Sequence, residues 1–209
     1  MSIYSSNPPG VTSVLATKFA FIAGAGGLGS NLAIMLARAG VGRLLICDFD
    51  VVTEANLNRQ AYFLEQVGMR KVDALKENIK RINPEINVNT INDRLMPANF
   101  AKYIPDNTDI IFECFDDASA KANLFSFCIS EKKKIPLLMV SGLAGTDKTE
   151  KIVITKIMSN VWLIGDQNNA MSPELGTLSS RVMTASAMQA HLGIRILLGL
   201  EEVYCHEQK

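Results

Sequence analysis

The sequence predicts an α/β fold: a doubly wound, mostly parallel sheet with a C-terminal antiparallel hairpin and a closing helix. Three observations carry this. Short apolar runs alternate with stretches whose apolar residues recur at helical spacing. A glycine-dense turn, "GAGGLGS" at 24–30, joins the first such run to the first long helix. The rhythm then breaks after residue 142, where two apolar runs are separated by only Met158 and Ser159.

Taken in order, "SSNPPG" reads as a loop leading to a short helix near Val11 to Thr17, and "KFAFIA" (18–23) is a short buried strand that ends at glycines. Leu28, Leu32, Met35, Leu36 and Ala39 mark the next helix, which Gly40 and Gly42 terminate before "RLLICD" (43–48) makes the second strand. A helix over Gly68 to Ile82 carries Val72, Leu75, Ile79 and Ile82 on one face, and Asn83 with Pro84 stops it. "INVNTI" (86–91) alternates as a strand. "TDIIFECF" (108–115) is a fourth strand, Ser119 to Lys133 a helix with a basic end, and "PLLMVSG" (136–142) a fifth strand. This alternation makes a Rossmann-like sheet with right-handed crossovers. "KIVITKI" (151–157) and "NVWLIG" (160–165) leave no room for a crossover helix, so they pair as a hairpin, and a helix from about Ser179 to Leu200 closes the fold.

One domain is expected over 1–209, with an N-terminal arm at 1–17 and a frayed tail at 201–209. Its hydrophobic content of 48% and charged content of 20% are globular values. Lys and Arg number 21 against 21 Asp and Glu, so no whole-molecule field draws the chain to nucleic acid or to an anionic membrane. Any positive potential must be local. Cys47, Cys114, Cys128 and Cys205 fall singly without a CxxC pair, which argues against a disulfide framework or structural zinc and suits a reducing cytoplasm. The 19 residues from Phe19 to Ala37 lack charge, yet Gly24, Gly26, Gly27 and Gly29 would break a helix lying in lipid, so no membrane span is expected.

"GAGGLGS" fits the spacing G-x-G-x-x-G directly after a strand. Gly24 permits the turn, Gly26 and Gly27 let the backbone approach phosphate oxygens, Gly29 completes the pattern, and the helix start turns free N–H groups toward an anion. Asp48 ends the second strand, where a carboxylate accepts hydrogen bonds from ribose hydroxyls of NAD, FAD or ATP alike. Three features separate these ligands. Arg59 and Lys71 lie just past the second strand and can turn back toward a triphosphate. Asp116 follows the fourth strand at the carboxyl edge, a suitable place for Mg²⁺. The only histidines are His191 and His206, which equips a hydride-transfer enzyme poorly. A plainer role stands beside each assignment: Asn56 as a turn former, Arg59 and Lys71 as solvated charges, and Asp116 or Asp117 as the cap of the following helix.

The ordered set "GAGGLGS", "AGVGRLLICDFDVV", "NLNRQ", "GMRK" and "INP" resembles the ThiF/MoeB/HesA adenylyltransferases, relatives of ubiquitin-activating enzymes, over roughly residues 10–200. The compact length looks most like the short ThiF branch of thiamin biosynthesis. The resemblance implies adenylation of the C-terminal glycine of a small ubiquitin-like sulfur carrier, with ATP and Mg²⁺ as cofactors and pyrophosphate as product. It places phosphates on Gly26 and Gly27 and ribose on Asp48. Asp50 then orders the turn, Asn56, Arg59 and Lys71 contact phosphates beside Gln60, and Asp116 holds the metal beside Asp117. It also implies a homodimer, and a carrier tail ending in Gly-Gly that passes beneath "GLAGTDKTEK" (142–151), a stretch that an ordinary hairpin connection explains as well. Apolar residues of the hairpin and last helix are candidates for the dimer surface or for core.

Departures from the family are specific. The family's Asn is Asp117 here, and Lys121 stands where Arg is common. No zinc-binding CxxC pairs are present, and no cysteine lies between Cys128 and Cys205, so adenylation without a covalent cysteine adduct is expected. The N-terminal Arg that relatives lend across the dimer is missing, since the first cation is Lys18 and the first Arg is Arg38. Three rivals remain: a non-catalytic subunit that docks a carrier, a tRNA-modifying relative, and an NAD-dependent oxidoreductase. The neutral charge balance counts against the second and the lack of catalytic groups against the third.

Overall fold

The computed structural model describes residues 2–168 and 175–201. Among the described residues seven strands form one sheet: β1 (Phe19–Ala23), β2 (Arg43–Cys47), β3 (Asn87–Ile91), β4 (Ile110–Glu113), β5 (Leu137–Val140), β6 (Val153–Met158) and β7 (Val161–Gly165). Their order is β3-β2-β1-β4-β5-β7-β6. Every neighbouring pair is parallel except β6 with β7. The chain therefore winds outward both ways from β1 and β4, as the alternating pattern predicts.

The hairpin has a further consequence. β7 lies beside β5 and parallel to it, with Leu138 opposite Trp162, while β6 takes the outer edge. A loop and an antiparallel edge strand thus do the work that a crossover helix does elsewhere in the sheet.

Helices α1 (Val11–Leu15), α2 (Gly27–Ala39), α3 (Lys71–Ile82), α4 (Phe100–Tyr103), α5 (Ala118–Glu131) and α6 (Ser179–Leu197) cover both faces. Alternation along the strands decides the side. Ala20 and Ile22 of β1 with Ile110 and Phe112 of β4 pack on Leu32 and Leu36 of α2, Leu75 and Ile79 of α3, and Ala185 and Leu192 of α6. Phe21 and Ile111 point the other way, into Phe100, Leu124 and Cys128. Cys47, Cys114 and Cys128 are buried, behaving as small hydrophobes, while Cys205 and His206 lie outside the described residues.

Boundaries shift where backbone chemistry intervenes. α3 begins at Lys71 instead of Gly68: Gly68 sits at φ 90°, its N–H donates to the Val52 carbonyl, and Val51 bridges Arg70. α5 begins at Ala118 because Asp117 accepts the Ala120 N–H at 2.7 Å. α6 stops at Leu197, and Gly199 at φ 69° turns the chain away. The helix α4 and three single-turn 3₁₀ segments (Glu54–Asn56, Leu64–Gln66, Thr149–Lys151) carry too few residues to show a period. Among the described residues no helix is long and apolar enough to cross a membrane. The frayed tail expected at 201–209 lies, beyond Glu201, outside the described residues.

Gly29 is buried in the first turn of α2, and a Cβ there would collide with the carbonyl of Gly24 at the end of β1. Both sides of that contact are backbone. Gly29→Ala is expected to cost about 3 kcal/mol, which at this chain length lowers the thermal midpoint by about 6–12 °C. Calorimetry of the variant checks this.

Candidate active site

A cleft of about 580 Å³ opens at the carboxyl ends of β1, β2, β4 and β5, where the winding reverses. Register aligns its floor: Ala23 pairs with both Cys47 and Glu113, so Gly24, Asp48 and Cys114 emerge together.

Gly24 adopts φ 104°, and a Cβ there would lie 2.9 Å from the Cys114 carbonyl oxygen. Only glycine fits. Gly26 is the cap residue of α2 and carries no side-chain cap, so the first-turn amides of this 13-residue helix face the cleft. Gly24, Gly26 and Gly27 line the cleft, whereas Gly29 holds α2 against β1 from behind.

Asp48 braces this loop. Its Oδ2 accepts the Ala25 N–H at 2.6 Å and its Oδ1 accepts the Asp50 N–H at 2.8 Å. Each oxygen retains a lone pair for a ligand hydroxyl. Asp50 pairs with the Lys71 ammonium at 2.7 Å, and the Lys71 side chain is only 7% exposed. Lys71 is thus not a solvated charge; it ties the start of α3 to the turn after β2. Tyr62, which nothing in the sequence singles out, donates to the Ala25 carbonyl at 2.7 Å from inside the core. Burial first, then the charges of Asp48 and Asp50, push its phenol well above the usual range.

The "NLNRQ" segment is placed differently from expectation at one position. Asn56 is not among the cleft-lining residues: its Oδ1 accepts the Thr53 N–H at 3.0 Å and closes a 3₁₀ turn. The plainer role as a turn former describes its geometry, because a short amide side chain finds the nearby backbone first. Arg59 and Gln60 do line the cleft. The Arg59 guanidinium donates to Asn58 Oδ1 at 2.8 Å and has no ion-pair partner among the described residues. Gln60 is 8% exposed, and its Oε1 has no hydrogen-bond donor among them.

On the opposite wall Asp116 is exposed, lines the cleft, and makes no hydrogen bond or ion pair among the described residues. Asp117 also lines it, with one oxygen engaged as the α5 cap. Below them Glu113 is fully buried. Lys121 Nζ reaches its two oxygens at 2.9 and 3.0 Å and the Val140 carbonyl at 2.8 Å, while Glu113 Oε1 accepts the Phe115 N–H at 2.7 Å. Burial raises the Glu113 carboxyl, and Lys121 opposes the shift. Cys47 and Cys114 also line the cleft. Burial pushes the Cys47 thiol up to about 12, and Cys114 is raised by the same cause. Neither is poised as a nucleophile.

Sequence reasoning also missed Arg181 and Asp166, whose side chains pair at 2.6 Å beside the segment after β5. The N-terminal arm docks elsewhere: Tyr4 donates to the Ala37 carbonyl and Asn7 to the Ala39 carbonyl, at the end of α2 remote from the cleft. Among the described residues no group of three His, Cys, Asp or Glu side chains is arranged to hold a metal ion. Any cation in this cleft would rest on Asp116 and on oxygens of the ligand, a donor set that suits Mg²⁺.

A doubly wound sheet with an open helix N-terminus, the Asp48 carboxylate and the Arg59 guanidinium at its switch point defines a Rossmann-like α/β protein. The chain belongs to the ThiF family, whose pattern matches residues 8–208. It is 33% identical over 141 residues to the tRNA threonylcarbamoyladenosine dehydratase of Escherichia coli (strain K12), covering 67% of this chain and 52% of that protein. It is also 33% identical over 190 residues to the molybdopterin-synthase adenylyltransferase of Haemophilus influenzae, covering 88% and 76%. The chain spans about half the length of the dehydratase relatives it matches. The solved structure of the E. coli tRNA N6-threonylcarbamoyladenosine dehydratase in complex with ATP superposes with a TM-score of 0.84 at 23% identity, covering 94% of this chain and 92% of that one.

Glu113 ionises less readily folded than unfolded, where its ordinary value is 4.5. Its contribution to stability is therefore complete below about pH 4.5 and declines as pH rises toward the raised folded value. Glu113→Gln does not titrate, so the stability of the parent relative to this variant is expected to fall with pH from about 4 upward. Urea unfolding of both proteins across that range checks the sign.

Proposed function

We propose that the chain activates a carboxylate by adenylation. ATP lies with its phosphates on the amides of Gly26 and Gly27 and its ribose on Asp48. An acceptor carboxylate attacks the α-phosphorus, the bond to the bridging oxygen of the β-phosphate breaks, and pyrophosphate leaves. A carboxylate with a pKa of about 3.5 is already ionised at neutral pH, so no general base is needed. What the reaction requires is positioning and positive charge where charge moves to the leaving group. Arg59, exposed to the cleft without an acidic partner among the described residues, supports this most directly.

The remaining groups act in support. Lys71 holds the turn through Asp50, and the turn closed by Asn56 presents Arg59 and Gln60. Asp116 is the residue for Mg²⁺, which when bound would offset phosphate charge, and Asp117 shapes the same turn as a cap. The acceptor is the Gly-Gly tail of a small ubiquitin-like sulfur carrier, as in the thiamin branch of the family. The working unit is a homodimer, for which the exposed Val153, Ile154 and Ile157 of edge strand β6 offer apolar surface. A second reading has a specific observation behind it: the tRNA dehydratase relatives and the matching fold favour a tRNA-borne threonylcarbamoyl group, which also ends in a carboxylate.

Pyrophosphate exchange into ATP separates the two. Exchange that depends on a Gly-Gly carrier supports the first acceptor, and exchange that depends on tRNA bearing threonylcarbamoyladenosine supports the second. ATP binding with exchange on neither leaves a docking subunit. In the active pairing, Arg59→Ala is expected to lower the exchange rate about a hundredfold with unchanged circular dichroism. An undiminished rate would remove Arg59 from the mechanism.

A further inference from the structure

Arg181 stands in the first turn of α6 and is 5% exposed. Its guanidinium is shared among three acceptors: Asp166 Oδ2 at 2.6 Å, the Leu143 carbonyl at 3.2 Å from Nε, and the Asp147 carbonyl at 2.5 Å from Nη1. The ion pair is dry, with side chains 6% and 1% exposed. A planar fork with five donors can satisfy all three at once, where a lysine ammonium cannot hold the same spread.

The segment so held runs from Gly142 to Asp147. Its first residues, Gly142, Leu143 and Ala144, line the cleft after β5, two strands from β1 in the sheet. Its start is as constrained as its middle. Gly142 sits at φ 78°, where a Cβ would collide with the Asp166 carboxyl, and a Cβ on Gly165 would collide with the Ser141 carbonyl. Further along, the Gly145 N–H donates to the Gly176 carbonyl at 3.1 Å. A polar, glycine-punctuated stretch would ordinarily be a mobile connection. Here one buried cation claims its backbone oxygens.

We propose that Arg181 is a positioning residue for the acceptor: through Asp166, Leu143 and Asp147 it holds residues 142–147 as a fixed wall at the acceptor end of the cleft. This rests on the adenylation reading above, with the nucleotide at the glycine loop and the carrier tail passing beneath residues 142–151 as the family resemblance implies. None of Gly26, Asp48, Arg59 or Asp116 touches Arg181 by hydrogen bond or ion pair, so its loss acts on the acceptor and spares the nucleotide.

Arg181→Met and Arg181→Lys are compared with the parent chain in three measurements. These are affinity for a fluorescent ATP analogue, the rate of tryptic cleavage at the exposed Lys148 followed by mass spectrometry, and half-saturation by acceptor and by ATP in pyrophosphate exchange. For Arg181→Met the expected result has three parts. Cleavage at Lys148 is at least tenfold faster, half-saturation by acceptor rises at least tenfold, and nucleotide affinity stays within twofold. Arg181→Lys, which keeps the charge on Asp166 but not the fork, falls between. Unchanged cleavage at Lys148, or a loss of nucleotide affinity equal to the loss of acceptor use, overturns the proposal. Should Arg181→Met fail to melt cooperatively, Arg181→Lys decides by the same criteria. Should the parent chain exchange with neither acceptor, the adenylation reading fails by itself. Lys148 cleavage and nucleotide affinity then still decide whether Arg181 fixes this wall.

Discussion

The site depends on two backbone approaches at the glycine loop: the start of α2 lies against the end of β1 so closely that Gly29 cannot carry a Cβ, and the residue after β4, Cys114, lies against Gly24 so closely that Gly24 cannot either. The first contact aims the free amides of the helix at the space above β1 and β4, where the chain turns in opposite directions and leaves a crevice. Asp48 then fixes the loop by accepting the Ala25 amide, and the same carboxylate fixes the turn after β2 by accepting the Asp50 amide. Loop and turn are braced by one residue, so the amides at the start of α2 and the cationic segment that follows keep a constant relation.

Charge around the cleft is mostly neutralised in place. Lys71 pairs with Asp50, Lys121 with Glu113 and Arg181 with Asp166. Arg94 lies over the Phe49 ring at 4.1 Å. Arg59 keeps only neutral partners among the described residues. In the cleft of a protein with equal numbers of acidic and basic residues, Arg59 and Arg94 thus stand without an acidic partner among the described residues, and Asp116 is likewise unengaged among them. The paired cations are structural members: each ties a helix to the end of a strand or the turn after it and trades solvation for a directed contact.

How much of this was legible differs by residue. The glycine loop, Asp48, the Asp117 cap and the β6–β7 hairpin follow from local pattern, because each depends on neighbours within a few positions. Asn56 follows local chemistry too: its side chain accepts the Thr53 amide in its own turn, the turn-former role that the sequence offers beside a phosphate contact. Tyr62, Glu113, Asp166 and Arg181 gave no signal. A tyrosine bonded to a carbonyl 37 positions away and an arginine bonded to one 38 positions away leave no spacing to read.

By itself the sequence determined the class of fold, the family, the carboxyl-edge location of the site and the absence of a net field, since periodicity, glycine and charge count act through short range or simple sums. Tertiary structure alone decided which charges are free and which are spent against one another. It also decided that the Leu143 and Asp147 carbonyls of the segment after β5 are bonded by Arg181. The physical reason is burial: whether an ammonium or guanidinium faces water, a ligand or a carboxylate depends on which distant element closes over it, and that is settled only when the sheet is assembled.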